Sequence, residues 1–205
     1  MIQLFDYWRS SASYRVRIAL GLAGLHWDSV TVNLVKGEQR SAAHLSRNPQ
    51  GLVPALEIDG QIFTQSLAII EYLDETRALG LLPGTAAERA RLRALAQAIA
   101  IDIHPVCNLR VAKYAIEQSQ GAITMKDWMQ AFIGPGLEAV EAMVEDGPYC
   151  AGARVTLPDL CLLPQIYNAQ RWEVDLSAMP KLRQIAARLE TLPAFAAAHP
   201  DKTPH

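Results

Sequence analysis

The stretch Tyr7-Trp8-Arg9-Ser10-Ser11-Ala12-Ser13-Tyr14-Arg15-Val16-Arg17-Ile18-Ala19-Leu20 decides how the chain is read. It opens on a hydroxyl-rich turn, continues at helical spacing to Leu22 and is stopped by Gly24. Ahead of it, Ile2-Gln3-Leu4-Phe5 reads as a short strand. After it, Val30, Val32 and Leu34 alternate with Thr31 and Asn33, the period of a half-buried strand. Residues 53–58 and 61–64 flank Asp59-Gly60, a dipeptide suited to the positive φ angles of a two-residue hairpin turn. Ser66 then caps the apolar run 67–73 as another helix. The order is β-α-β, a long connection, then β-β-α.

Gly80, Pro83 and Gly84 break the pattern as a linker, which places one domain at 1–79 and a second at 85–205. Everything beyond the linker has helical period. Residues 88–103 are rich in Ala, Leu and Arg, and Pro105 is expected to kink or end that helix. Met125, Trp128, Met129, Phe132, Leu137, Val140 and Val144 trace one face of a long helix, in which Gly134-Pro135 permits a break. Thr156-Leu157-Pro158-Asp159 reads as a capping box with Pro in the first turn. A last helix is expected over 180–192, followed by a fraying polar tail at 201–205.

With 205 residues, half of them hydrophobic and 20% charged, the chain can bury a core of ordinary globular composition. A net charge of -2 argues against nucleic acid as a partner. No run approaches the length of a membrane span, and no signal segment is visible, so no membrane partner is expected. Cys107, Cys150 and Cys161 lack metal-ligand spacing, and no metal is expected. Their odd, sparse count fits a reducing cytosol, and a cytoplasmic location is the default.

The serine turn lies between the first strand and the first helix, where a helix N-terminus offers unpaired N–H groups and positive partial charge. Such a place suits sulfur chemistry, but it holds no cysteine, so the sulfur has to arrive with a ligand. A serine cluster also serves as a plain helix cap. In Leu52-Val53-Pro54 a proline opens a strand; a cis bond there would turn the Val53 backbone outward as a docking edge for an extended peptide. Gln65-Ser66 sits at a helix start, where a carboxylate can bind, and the same serine can cap.

Residues 9–20 resemble the signature of zeta-class glutathione transferases, the family of maleylacetoacetate isomerases. Residues 48–56 and 65–73 resemble its other N-terminal motifs, and residues 159–165 and 171–176 its C-terminal ones. The resemblance implies glutathione transferase architecture: an α/β thioredoxin-like N-terminal domain that binds glutathione, plus an all-α C-terminal domain for the substrate. It implies cis–trans isomerisation of maleylacetoacetate, or of maleylpyruvate, to the fumaryl product by reversible addition of the glutathione thiolate. It implies a place in aromatic amino acid catabolism, a small dicarboxylic substrate and a homodimer. Ser10, with Ser11, would donate to the glutathione sulfur. Val53, with Pro54, would pair with the cysteinyl backbone, and Gln65 and Ser66 would hold the γ-glutamyl end. Gln39, His104 and Asn108 would complete the pocket, and Arg9, Arg110 and Arg171 would hold substrate carboxylates with the two hydrogen bonds of the planar fork, although a lone arginine is usually a solvated surface charge. On a straight helix Arg110 points roughly 200° away from Asn108, so the two share that pocket only if the chain bends near Pro105. Asp102-Ile103-His104-Pro105, followed by Asn108 and Arg110, looks more like the maleylpyruvate isomerases of the family. The serine motif departs in one place: Ala12 stands where the family often has Cys, so any part played by that thiol is absent.

Three rivals stay open on the residues. Tyr7, at the end of the first strand, could activate the thiol in place of Ser10. The same thiolate could conjugate or dehalogenate small electrophilic acids. A transferase-like chain could also serve as a non-catalytic interaction module.

Overall fold

The computed structural model describes residues 1–203. It divides into two units: Met1–Leu81 together with the segment from Leu192 onward, and Leu82–Thr191.

The first unit is built on a four-stranded sheet of order β2-β1-β3-β4. Strand β1 (Gln3–Asp6) leads through the serine turn into helix α1 (Ser11–Leu22), which returns to β2 (Asp28–Thr31), parallel to β1. The long connection is ordered by a 3-10 turn (Glu38–Arg40) and a short helix α2 (Ala42–Leu45). Strands β3 (Ala55–Ile58) and β4 (Gln61–Thr64) then form an antiparallel hairpin with β3 against β1, and helix α3 (Ser66–Arg77) closes the unit's first part. This is the thioredoxin-like βαβ-ββα order. The hairpin turn has φ 52° at Asp59 and 75° at Gly60, the pair of left-handed residues whose twist matches that of the flanking strands.

The second strand is shorter than the alternation suggests. Pairing ends at Thr31 because its partner β1 ends at Asp6; the last link is the Val32 N–H to the Asp6 carbonyl at 2.7 Å. Val32 is still buried, clustered with Phe5 and Ala55. Helix α1 is buried from Ser13 to Leu20, arginines included, so it shows no polar stripe. Helix α3 begins at Ser66 itself: Gln65 is the cap residue, no side chain caps the helix, and Ser66 is not the cap that its position suggests.

The tail is the larger departure. Residues 192–203, read from the sequence as part of the second domain, belong with the first unit. A short helix at Pro193–Ala197 lies on α1. Phe195 is fully buried, the Tyr14 hydroxyl donates to its carbonyl at 3.5 Å, and Arg17 Nε donates to the Ala198 carbonyl at 3.1 Å. Nor does the tail fray at Asp201: Pro200–Lys202 form a 3-10 turn and Thr203 is buried, its hydroxyl on the His199 carbonyl. Residues 204 and 205 lie outside the described residues.

The second unit is helical. Helix α4 (Ala86–Gln97), capped by the Thr85–Glu88 box, runs into a π-helical segment (Ala98–Ile103) and ends before Pro105. Helix α5 (Leu109–Gln118) was not apparent from the sequence pattern. Helix α6 (Met125–Met143) passes through Gly134-Pro135 unbroken; Pro135 is exposed, and so is Ala131, the residue whose carbonyl loses its helical donor to the proline. Its buried face is Met129, Ile133, Leu137 and Val140, while Phe132 is 41% exposed, so the apolar stripe runs through Ile133 rather than Phe132. Helix α7 (Leu157–Arg171) is the centre of the unit, buried almost throughout. The Thr156 box stands as read: fully buried Asp159 accepts from the Thr156 N–H and hydroxyl and, across the chain, from the Cys150 N–H at 2.9 Å. Helix α8 (Pro180–Glu190) is capped by Glu141, which accepts from the N–H groups of Lys181 and Leu182. Among the described residues no helix is long and apolar enough to cross a membrane.

Candidate functional site

The residues of the first unit singled out from the sequence lie at the starts of helices α1 and α3 and around the loop before β3. Ser10 is the N-cap of α1: its side-chain oxygen accepts from the Ser13 N–H at 3.2 Å and its carbonyl from the Tyr14 N–H at 2.9 Å. The cap consumes an acceptor lone pair and leaves the hydroxyl hydrogen to be directed elsewhere. Ser11 is buried in the first turn, and Arg9 is exposed with its guanidinium 4.3 Å from the Trp8 ring centre.

A second group surrounds the loop before β3. The Val53-Pro54 bond, whose isomer the sequence leaves open, is cis. Two side chains converge on the Leu52 carbonyl just ahead of it, His44 Nε2 at 2.9 Å and Asn48 Nδ2 at 2.9 Å. Gly51, at φ 63°, lets the loop approach the turn that carries Gln39; a side chain there would begin 3.0 Å from the Gln39 carbonyl oxygen. Gln39 Oε1 is buried and has no hydrogen-bond partner.

The third group is the start of α3. Gln65 holds φ 68°, a conformation that costs a non-glycine residue about 1–3 kcal/mol and clusters at ligand sites. Its amide donates to Gln50 Oε1 at 2.7 Å. Ser66 accepts from Arg15 Nη1 at 3.2 Å, which ties α3 to α1. Beneath the serine turn, Arg17 pairs with Asp6 at 2.7 Å, each 2% exposed, and donates to the Trp8 carbonyl at 2.9 Å. Burial pushes the Asp6 carboxyl above its ordinary value and Arg17 partly offsets this.

Arg15, Arg17, His44 and Asn48 were given no role from the sequence. One signal was present for the arginines: a helix apolar on all sides has no water-facing edge, so charges inside it must be buried and paired.

In the second unit His104 follows the π-helical segment, and Asn108 is the N-cap of α5, its Oδ1 accepting from the Arg110 N–H at 3.0 Å. The helix therefore ends before Pro105, as expected, and a new one starts after Asn108, whose backbone is extended (φ -64°, ψ 134°), so Asn108 and Arg110 do not share one straight helix. The Trp128 indole holds the same turn by donating to the Val106 carbonyl at 3.0 Å. Arg110 is exposed in the first turn of α5. Arg171 is exposed in the last turn of α7, near the rings of Tyr167 and Trp172.

A thioredoxin-like unit with a serine-capped α1 and a cis-proline before β3, followed by a helical unit, has the architecture of a glutathione transferase. Residues 1–75 match the family described as "Glutathione S-transferase, N-terminal domain". The chain is 55% identical over 204 residues to the maleylacetoacetate isomerase of Rhizobium meliloti, covering 97% of this chain and 96% of the relative. It is similar to a solved maleylpyruvate isomerase described as a bacterial zeta-class glutathione transferase, with TM-score 0.93, 39% identity and 98% of each chain covered. It is also similar to the maleylacetoacetate isomerase of Anaeromyxobacter dehalogenans, solved with glutathione in its active site, with TM-score 0.89, 40% identity, and 100% and 97% covered. The chain belongs to the maleylacetoacetate isomerase family, the zeta class of the glutathione transferases.

Proposed function

We propose that this protein is a glutathione-dependent cis–trans isomerase that converts maleylacetoacetate or maleylpyruvate to the fumaryl product. We infer that it works in the cytoplasm, as a homodimer, in aromatic amino acid catabolism. The observation that carries the reading is Ser10: its oxygen accepts from the Ser13 N–H, so its own proton is left to donate to an anion at the mouth of α1. Glutathione suits the residues present. Gln39 Oε1 is a buried acceptor without a partner, and the first N–H groups of α1 and α3 have no intrahelical acceptor.

In this reading Gln65 and Ser66 hold the γ-glutamyl end, the Val53 backbone beside Pro54 pairs with the cysteinyl part, and Gln39, His104 and Asn108 take further polar groups of the tripeptide. When bound, glutathione would supply the thiolate that adds reversibly to the double bond and is recovered unchanged. Ser10, with Ser11 beside it, keeps that sulfur ionised. A free thiol of pKa near 8.5 is only about 3% ionised at neutral pH. Lowering the pKa by about two units takes roughly 2.7 kcal/mol. A helix N-terminus gives about 0.3–2 kcal/mol and a hydrogen bond to a charged group about 1.5–3, so together they suffice without a general base. Arg9, Arg110 and Arg171 would orient the carboxylates of the substrate and balance charge that develops as the bond order falls.

The test assays both maleyl acids with and without glutathione, in the wild type, Ser10→Ala and Tyr7→Phe. Ser10→Ala should raise the pKa of the bound thiol by about one to two units and lower turnover at neutral pH. Turnover without glutathione, or loss of activity in Tyr7→Phe alone, would refute the assignment.

A further inference from the structure

We propose that Arg15 is a positioning residue that sets the affinity of the α3 N-terminus for the free carboxylate on the γ-glutamyl residue of glutathione. The inference rests on the reading above in which Ser66 holds that end of the tripeptide.

Arg15 is 1% exposed within α1, and its Nη1 donates to the Ser66 hydroxyl oxygen at 3.2 Å. A hydroxyl has one hydrogen, and with the guanidinium donating to its oxygen that hydrogen is turned away from Arg15. Ser66 is the first residue of α3, and no side chain caps this helix. The first intrahelical bond is from the Ile69 N–H to the Gln65 carbonyl, so the N–H groups of Ser66, Leu67 and Ala68 lie ahead of it. The helix end therefore presents N–H groups, an oriented hydroxyl and, directly behind them, a guanidinium that stays charged at any physiological pH. Being buried, that charge is screened far less than a surface arginine. Such a stack favours a carboxylate over a neutral group of the same shape. Arg17 cannot substitute for it, since Asp6 and the Trp8 and Ala198 carbonyls already take its donors.

The experiment is a double-difference cycle on the full chain. Binding of glutathione is compared by calorimetry with binding of an analogue whose γ-glutamyl carboxylate is a carboxamide, in the wild type, Arg15→Met and Arg15→Lys. Arg15→Met should weaken glutathione by about 10–100-fold while leaving the analogue nearly unchanged. Arg15→Lys, which restores the charge, should recover part of the loss. The pKa of the bound thiol and kcat at saturating glutathione should stay at wild-type values, a split between KM and kcat that misfolding would not give. Should Arg15→Met fail to fold, Arg15→Gln removes the charge, keeps a donor for Ser66 and carries the same cycle. Equal weakening of both ligands, or no weakening of either, overturns the proposal. A wild type that ignores glutathione overturns the functional reading itself, and does so before any Arg15 variant is measured.

Discussion

Replacing Arg17 with methionine tests how the serine turn is held. The substitution keeps most of the side-chain volume and removes three hydrogen bonds: to Asp6 Oδ2 at 2.7 Å, to the Trp8 carbonyl at 2.9 Å and to the Ala198 carbonyl at 3.1 Å. Cutting one partner from a buried ion pair costs about 3–5 kcal/mol, because the other charge is left behind without compensation. At about 2–4 °C per kcal/mol for a chain of this size, the melting temperature should fall by roughly 6–20 °C. The deficit should also depend on pH. Burial already raises the Asp6 pKa and Arg17 opposes that rise, so without Arg17 the carboxyl goes higher still. A folded state whose acid has a raised pKa binds more protons than the unfolded chain, so the variant gains stability as pH falls through that folded value. The gap to the wild type should therefore narrow between pH 7 and pH 5. Asp6→Asn added to Arg17→Met should restore part of the loss, since no buried charge then remains. Urea unfolding at both pH values measures all of this. A deficit under about 1 kcal/mol at pH 7, or one that widens on acidification, would refute the argument.

Other expectations are as direct. Gly136→Ala would place its Cβ 2.5 Å from Ile103 Cγ1 and 2.7 Å from Cδ1. Overpacking of about 1–3 kcal/mol, offset by about 1 from helix propensity, should leave a net loss of up to about 2 kcal/mol that shrinks in an Ile103→Ala background, read by thermal unfolding. Asp159→Ala leaves the Thr156 and Cys150 N–H groups buried without their acceptor, and should cost about 3–5 kcal/mol of stability by urea titration. Cys107 is buried and its thiol is pushed up to about 11, so iodoacetamide should label it slowly at neutral pH and faster as pH rises, with mass spectrometry following the adduct.

The elements that were legible in the sequence are those that short-range chemistry decides. Asp59-Gly60 names its own turn because both positions need positive φ, and the box from Thr156 to Asp159 closes within a single helical turn. Ser10 and the pair Gln65-Ser66 could be singled out because a strand followed by a hydroxyl at a helix start is a local pattern. What could not be read rests on distant contacts. The tail joins the first unit through Arg17 and Ala198, 181 residues apart. The widened helix before His104 consists of ordinary helix formers, and its fit depends on the missing side chain of Gly136. Arg15 looked like one more charge in a signature until Ser66 stood against it.

Because residues from Leu192 onward complete the unit that begins at Met1, the whole of Leu82–Thr191 is inserted into the covalent path of the first unit. On the ribosome, then, the early unit must wait. Helix α1 emerges before the inserted helices, yet Phe195 and the Ala198 carbonyl that cover it are made only after them. The intervening helices are free to collapse while their predecessor is still unfinished. A nascent chain stalled near residue 191 would expose the flank of α1 and offer it to a chaperone, although every residue proposed to bind glutathione had already been synthesised.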